Sequence, residues 1–371
     1  MRDADLIYKV GIELIPRVGS INAKKLIAYC GGAEAVFKES KRNLLKIPGI
    51  GESIASEVLN QAVLTKAEAE IRFIEKYGIE ALYYNDSNYP NRLKQCEDGP
   101  VMLYVKSNSS PDFNADKVIS VVGTRKATPY GKNLCDELLG GLTRKGYKPI
   151  VVSGLAYGID VAAHRAAIKL QLPTIAVLGH GLDTIYPSLH RNVAKDIVDN
   201  GALVTDFLSG TPFDRNNFLR RNRIIAGLSD ATIVVESALE GGALVTADIA
   251  NSYNREVFAV PGNVNSTYSQ GCNQLIKQNK ASLMESADDI EFLLGWKPQK
   301  TSPKQTAVNL NIFSNEEQLI LNFLKENGAE TLDIISLKTG LAVSKLLSIL
   351  LNLEFAGAVT SKPGKIYALS A

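Results

Sequence analysis

Val118-Ile119-Ser120-Val121-Val122-Gly123-Thr124-Arg125 and Ile150-Val151-Val152-Ser153-Gly154-Leu155-Ala156-Tyr157-Gly158-Ile159-Asp160 decide the fold. Each is a short apolar run that breaks at glycine and feeds a helical stretch. The pattern recurs at Thr174–Leu178, Ala202–Thr205, Thr232–Glu236 and Val257–Val260. Helical spacing of apolar residues fills Gly131–Lys145, Ile159–Leu170, Leu189–Asn200, Phe218–Leu228 and Ala243–Asn254. The strands are apolar on both faces, as in a buried parallel sheet covered by helices on each side. The fold class is therefore α/β. Ligands of such sheets sit outside the carboxyl ends of the strands, so the residues after each strand carry the functional argument.

Outward from this core the chain changes character. Residues 1–80 read as helical. Within them Ile15-Pro16-Arg17-Val18-Gly19-Ser20 is echoed by Ile47-Pro48-Gly49-Ile50-Gly51-Glu52, each followed by an amphipathic helix. Both resemble the helix-hairpin-helix motif, which offers backbone N–H groups to phosphate. The second copy matches well, whereas Arg17 replaces the first glycine of the first. A small SAM-like packing module is the alternative, since the region to Lys76 carries 12 basic and 10 acidic residues. Ala81–Val105 reads as a connection, with Asp86, Asn88, Pro90 and Pro100 marking turns. The parallel-sheet domain is assigned to 81–295 and a polar Pro/Lys linker to 296–312. Residues 313–371 read as a winged-helix-like domain: Ser314-Asn315-Glu316-Glu317 caps a first helix, two more follow, and a hairpin turns at Pro363-Gly364.

Composition narrows the classes. The 371 residues hold 41 basic and 39 acidic side chains, a net charge of +2, and are 45% hydrophobic and 22% charged. These are globular proportions, with two to three domains expected. No apolar run reaches about 18 residues, so no membrane partner is expected. Met1–Lys9 lacks an apolar signal region, and Cys30, Cys96, Cys135 and Cys272 are too scattered for zinc or a disulfide framework. The expectation is a cytoplasmic protein with no metal and no cofactor. His164, His180 and His190 are equally scattered.

The strand ends carry the chemistry. Gly123-Thr124-Arg125 closes the first strand, where glycine admits an anion and Arg125 can clamp it. Ser153-Gly154 opens a second glycine-rich turn, and Gly241-Gly242 a third at a helix start. Asp160 and His164 stand four apart, but a carboxylate in a first helical turn is explained by the helix dipole. The strongest signal is Asp214-Arg215-Asn216-Asn217-Phe218-Leu219-Arg220-Arg221-Asn222-Arg223. It places four arginines around one aromatic ring, with Asp214 the only acid between Pro212 and Gly227. Arginines take phosphates while a base stacks on the ring, which is what a single strand requires.

Five ordered motifs then identify a family resemblance: Val-Gly-Thr-Arg…Tyr-Gly (122–131), Ser-Gly-Leu-Ala-Tyr-Gly-Ile-Asp…Ala-His (153–164), Ala-Val-Leu-Gly-His-Gly-Leu-Asp…Tyr-Pro (176–187), Arg-Asn-Arg-Ile-Ile-Ala-Gly-Leu-Ser (221–229) and Phe-Ala-Val-Pro-Gly…Gly-Cys-Asn (258–273). Together they resemble the DNA-processing protein A family (DprA/Smf), closely over 85–295 and more loosely outside it. The resemblance implies an extended Rossmann-like domain that binds single-stranded DNA, forms a homodimer, and loads RecA during natural transformation, with no catalytic residues. By position Arg125 resembles the family's phosphate-holding arginine, with Thr124 in place of the common Ser. Arg215 falls where some members carry Lys, Phe218 where the family stacks a base, and Arg221-Asn222-Arg223 on its Arg-Asn-Arg. Leu219 departs from a common Pro, and Thr205-Asp206 from Ser-Glu.

The implied single-strand site comprises Gly123, Thr124, Arg125, Ser153, Gly154, Arg215, Phe218, Arg220, Arg221, Asn222, Arg223, Gly241 and Gly242. The rival is a nucleotide-processing, phosphoribohydrolase-like enzyme on the same fold. Gly241-Gly242 resembles its Pro-Gly-Gly-x-Gly-Thr turn, although Glu240 and Leu244 replace the Pro and the third Gly. In the tail, five lysines against six acids and an apolar Ser344–Leu353 segment point to protein contact rather than duplex reading.

Overall fold

Strands that are apolar on both faces must be covered on both, and the chain does this around a single nine-stranded sheet. A computed structural model describes residues 5–297, 313–362 and 366–369. The strands are β1 Glu80–Tyr83, β2 Met102–Lys106, β3 Val118–Val122, β4 Ile150–Ser153, β5 Thr174–Val177, β6 Gly201–Thr205, β7 Ala231–Val234, β8 Glu256–Ala259 and β9 Ser282–Leu283. Their order is β1-β2-β6-β5-β4-β3-β7-β8-β9. All pairs from β3 to β9 are parallel, whereas β2 pairs antiparallel with both β1 and β6. Each of the six predicted strands lies within two residues of its place, as β3 to β8.

The connecting piece is the difference. Ala81–Val105 holds β1 and β2, which extend the sheet beyond β6 with Tyr104 opposite Thr205. Turn residues between two short strands hide them from a periodicity reading.

Two apolar layers sandwich the sheet. On one face lie Ile224, Ile225 and Leu228 of helix Arg215–Leu228, with Ala243, Ala247 and Ala250 of helix Gly242–Ser252. On the other lie Cys135, Leu139 and Leu142 of helix Pro129–Arg144, with Ala163 and Ala167 of helix Ile159–Lys169. The chain winds from β3 outward to β6, then returns to place β7 on the other side of β3. This reversal leaves a crevice between the ends of β3 and β7, where open α/β sheets hold their ligands.

The helical front belongs to the same compact unit as the sheet, residues 1–298. Its apolar core, with Val10, Ile12, Leu26 and Phe37, also takes in Val101, Met102 and Tyr104 from around β2. Glu13 accepts from the Met102 amide at 3.1 Å and from the Tyr104 hydroxyl at 2.9 Å. The two hairpins superpose in backbone logic: Arg17, with φ 65°, takes the left-handed conformation that Gly49 takes at 87°. Arg17 therefore stands in for the glycine despite its side chain, which donates to Ser53 Oγ at 2.7 Å.

Residues 299–371 form the second compact unit. Helices Asn315–Asn327, Leu332–Thr339 and Val343–Phe355 pack around Ile320, Leu324, Ile335, Leu346 and Leu350, beside a three-stranded antiparallel sheet. This is the winged-helix arrangement; Ser314, expected to cap the first helix, does so in a capping box with Glu317. The turn at Pro363-Gly364 and linker residues 298–312 lie outside the described residues. Among the described residues no single helix is long and apolar enough to cross a membrane.

Candidate nucleic-acid interface

The crevice at the β3/β7 reversal is an open cleft of about 380 Å³. Gly123, Thr124 and Arg125 reach it from the end of β3, and Arg215, Phe218, Arg221 and Asn222 from helix Arg215–Leu228. Gly241 and Gly242 reach it from the loop after β7. Most of the residues expected to act together are thus neighbours. Asn222 ties the two sides, its Nδ2 donating to the Gly242 carbonyl at 3.3 Å.

The three glycine turns are not equivalent. In the first, the Thr124 amide is spent on the Glu236 carbonyl at 2.7 Å. In the second, backbone amides of Gly154 and Ala156 bind the buried Asp160 carboxylate, so an internal anion fills the nest. Burial raises the Asp160 carboxyl while the Arg221 guanidinium lowers it. The third turn opens the eleven-residue helix Gly242–Ser252, which has no side-chain cap and no acid in its first turn. Gly241, Gly242 and Ala243 at its start line the cleft, and an uncapped helix N-terminus is an arrangement that receives phosphate.

The arginines divide by environment. Arg125 and Arg215 are exposed at the mouth of the cleft, with Arg125 Cζ 5.8 Å from the centroid of the half-buried Phe218 ring. Arg221 is only 4% exposed at the floor, donating from Nη1 to the Gly154 carbonyl at 2.7 Å and to that of Val177. Burial pulls its pKa down to about 10 while Asp160 opposes the shift, so it stays charged at neutral pH. A second carboxylate, Glu240, lines the rim.

Four expected site residues do not line the cleft. Ser153 is fully buried and its hydroxyl donates to the Val121 carbonyl at 2.6 Å. Gly154 serves from beneath, since a Cβ there would overlap the Arg221 guanidinium. Arg223 turns toward the helical front, donating to the Asp98 carbonyl and pairing with Asp206. Arg220 stacks over Phe207, 5.4 Å from its centroid, on that same side. The partner of Arg223 comes from the end of β6, so a search for acids between Pro212 and Gly227 could not find it.

The structure also brings two unanticipated rings to Phe218. Tyr186 lies 5.8 Å from it, and Phe213 lies 5.3 Å from Tyr186. Both sit in loops that follow strands, β5 and β6 respectively, which is the signal that could have found them. The three histidines are buried and serve the interior: His164 Nδ1 meets Thr174 Oγ1 at 2.7 Å, and His190 Nδ1 meets the Leu155 carbonyl at 2.8 Å.

With this geometry in place, comparison with known proteins is specific. Residues 80–294 match the model of DNA recombination-mediator protein A, and 298–365 match the DprA winged helix domain. Protein Smf of Escherichia coli is 34% identical over 80% of this chain and 79% of its own. The crystal structure of DNA processing protein A from Streptococcus pneumoniae superposes with a TM-score of 0.62 at 30% identity, covering 76% of this chain and 96% of that one. A structure describing the single-stranded DNA binding mode of DNA processing protein A from Helicobacter pylori superposes at 0.52, with 27% identity over 58% of this chain and 95% of that one. The chain belongs to the DNA recombination-mediator protein A (DprA/Smf) family.

Proposed function

We propose that this protein binds single-stranded DNA in the β3/β7 cleft and acts, as a homodimer in the cytoplasm, to load RecA onto incoming DNA in natural transformation. The observation that carries the binding is the cation–aromatic pair at the cleft mouth. Arg125 stands 5.8 Å from the Phe218 ring, with Arg215 exposed on the same helix as that ring. A strand laid there meets phosphate-binding guanidinium groups, an uncapped helix N-terminus and a ring on which one base can stack. A duplex keeps its bases inside and cannot use the ring. Family membership and the single-strand binding described for the Helicobacter pylori relative support the same reading.

Nothing in this proposal requires turnover. The cleft volume would admit one nucleotide, and Glu240 beside Gly241-Gly242 is the feature that favours the nucleotide-processing alternative. Fluorescence anisotropy with labelled single- and double-stranded oligonucleotides at two salt concentrations separates the readings. A single-strand binder should lose affinity with salt at about 0.7 logarithmic units per phosphate contact. Arg125→Ala should weaken binding and reduce that slope by about 0.7. Salt-insensitive binding, or mononucleotide hydrolysis abolished by Glu240→Gln, would favour the enzyme.

A further inference from the structure

The rings beyond Phe218 are arranged as a continuation of the cleft. Phe213 and Phe218, five residues apart where a loop enters a helix, and Tyr186 from the loop after β5 form a row with centroid steps of 5.8 and 5.3 Å. The row is seated on Gly179-His180. A Cβ at Gly179 would stand 2.9 Å from the Phe218 ring, and the buried His180 ring lies 5.3 Å from that of Phe213. What the seat leaves open is the outer surface: Tyr186 is 46% and Phe213 53% exposed. Half-exposed rings beside a basic cleft offer flat apolar faces that a base can cover.

Geometry and charge select that occupant. Adjacent rings are inclined by 54° at less than 6 Å, so nothing flat can slide between them. Flat groups can lie only on the outer faces, at most one to a ring. The row begins where Arg125 meets Phe218, so an anionic backbone is drawn to its head. Asp214, the acid next to Phe213, is committed as the helix cap, accepting from the Asn216 amide at 2.8 Å. Steps of 5.3 and 5.8 Å exceed the rise of about 3.4 Å per nucleotide of a stacked duplex strand. An extended single strand can match them.

Resting on the single-strand reading above, we infer that Tyr186 and Phe213 form a second base-stacking platform that receives the nucleotides adjoining the one on Phe218. Site size and length preference then depend on these two rings. The test is competition anisotropy with a thymidine mononucleotide, too short to reach past the Phe218 ring, and an oligothymidylate of about 16 nucleotides, the long end of known single-strand sites. Tyr186→Ala and Phe213→Ala should each weaken the long oligomer about 5- to 150-fold, one stacked base apiece, and leave the mononucleotide nearly unchanged. Tyr186→Phe and Phe213→Tyr should restore the long-oligomer affinity. A long abasic strand, which offers phosphates without bases, should bind wild type and variants alike. Equal effects on both lengths, no effect on either, or weakened abasic binding would overturn the platform. Failure of the wild type to bind any single strand would instead remove the function on which it rests. Should Tyr186→Ala melt early, the more exposed Phe213→Ala decides alone.

Discussion

The backbone of Gly154 and the guanidinium of Arg221 occupy adjoining space with no room for a methyl group between them. Arg221 is fixed there by the Gly154 and Val177 carbonyls, so the glycine is a mould for a buried charge. Gly154→Ala should push the guanidinium off these carbonyls and lower stability by about 1–3 kcal/mol, the usual cost of overpacking and of buried donors losing their partners. Urea unfolding measures it. Gly242→Ala is the control, since nothing lies within 4 Å of a Cβ there; its midpoint should hardly move.

Gly179 plays the same part for the stacking ring. A Cβ would lie 2.9 Å from Phe218 Cδ1 and 3.1 Å from its Cα, so the ring cannot keep its place. Gly179→Ala should cost about 1–3 kcal/mol of stability through overpacking and weaken single-strand binding by a comparable amount. In a double-mutant cycle with Phe218→Ala the binding losses should be less than additive, because both remove one platform. Additive losses would place Gly179 outside the ring's support.

Arg223 and Asp206 pair with side chains 12% and 5% exposed, at the junction of the sheet with the helical front. Asp206→Ala should destabilise by about 3 kcal/mol, since the arginine stays behind with only the Asp98 carbonyl. Single-strand affinity of the folded variant should remain near that of the wild type, in contrast to Arg125→Ala. Thermal melting and anisotropy on the same samples distinguish the two arginines.

These residues show which parts of the structure were legible. Strands β3 to β8 declared themselves because parallel strands buried on both faces are apolar at most positions, with buried Ser or Thr such as Ser153 satisfied by hydrogen bonds. The glycines after them marked the strand ends. β1 and β2 were hidden because Ala81–Val105 mixes short apolar runs with turn residues. The arginine cluster was visible as composition, yet its sorting was not. One helix turns Arg215 and Arg221 toward the cleft and Arg223 toward Asp206, a partner seventeen residues away. Asp160 shows the same limit: its place in a first helical turn was clear, but not that it fills the Gly154 nest. Left-handed Arg17 answers to Gly49 by backbone conformation, which residue identity conceals.

Glu13 gives the molecule a pH dependence of unusual sign. Burial pushes its carboxyl from 4.5 to about 8, partly offset by the Tyr104 hydroxyl and the Met102 amide. The folded state therefore holds a proton that the unfolded state releases, and stability falls as pH rises from about 4.5 through about 8. His164 acts oppositely: burial lowers it from 6.5 to about 3, so its contribution is lost as pH falls through that window. The two oppose each other below pH 6.5, and Glu13 stands clear of His164 from there to about 8. In that upper window stability should fall by up to about 1.4 kcal/mol per pH unit. Glu13→Gln should flatten the fall, as seen by urea unfolding at several pH values. An unchanged slope would mean that Glu13 is ionised in the fold.

The C-terminal unit should be dispensable for single-strand binding. Its third helix, Val343–Phe355, occupies the position at which duplex-reading winged helices present basic and amide side chains to a groove. Here Val343, Leu347, Leu351 and Phe355, four residues apart, are all exposed, and Lys345 is paired with Glu316. The exposed face of that helix is thus largely apolar where a groove-reading helix is basic. The unit has its own core, and residues 1–298 keep every cleft residue together with both layers that cover the sheet. A chain of residues 1–298 should therefore bind oligothymidylate within about twofold of the full-length protein, a difference under about 0.4 kcal/mol. Its salt slope should be the same, because the arginines that set it are all retained. A tenfold loss of affinity, or a slope shallower by one phosphate contact, would show that the winged helix holds part of the strand.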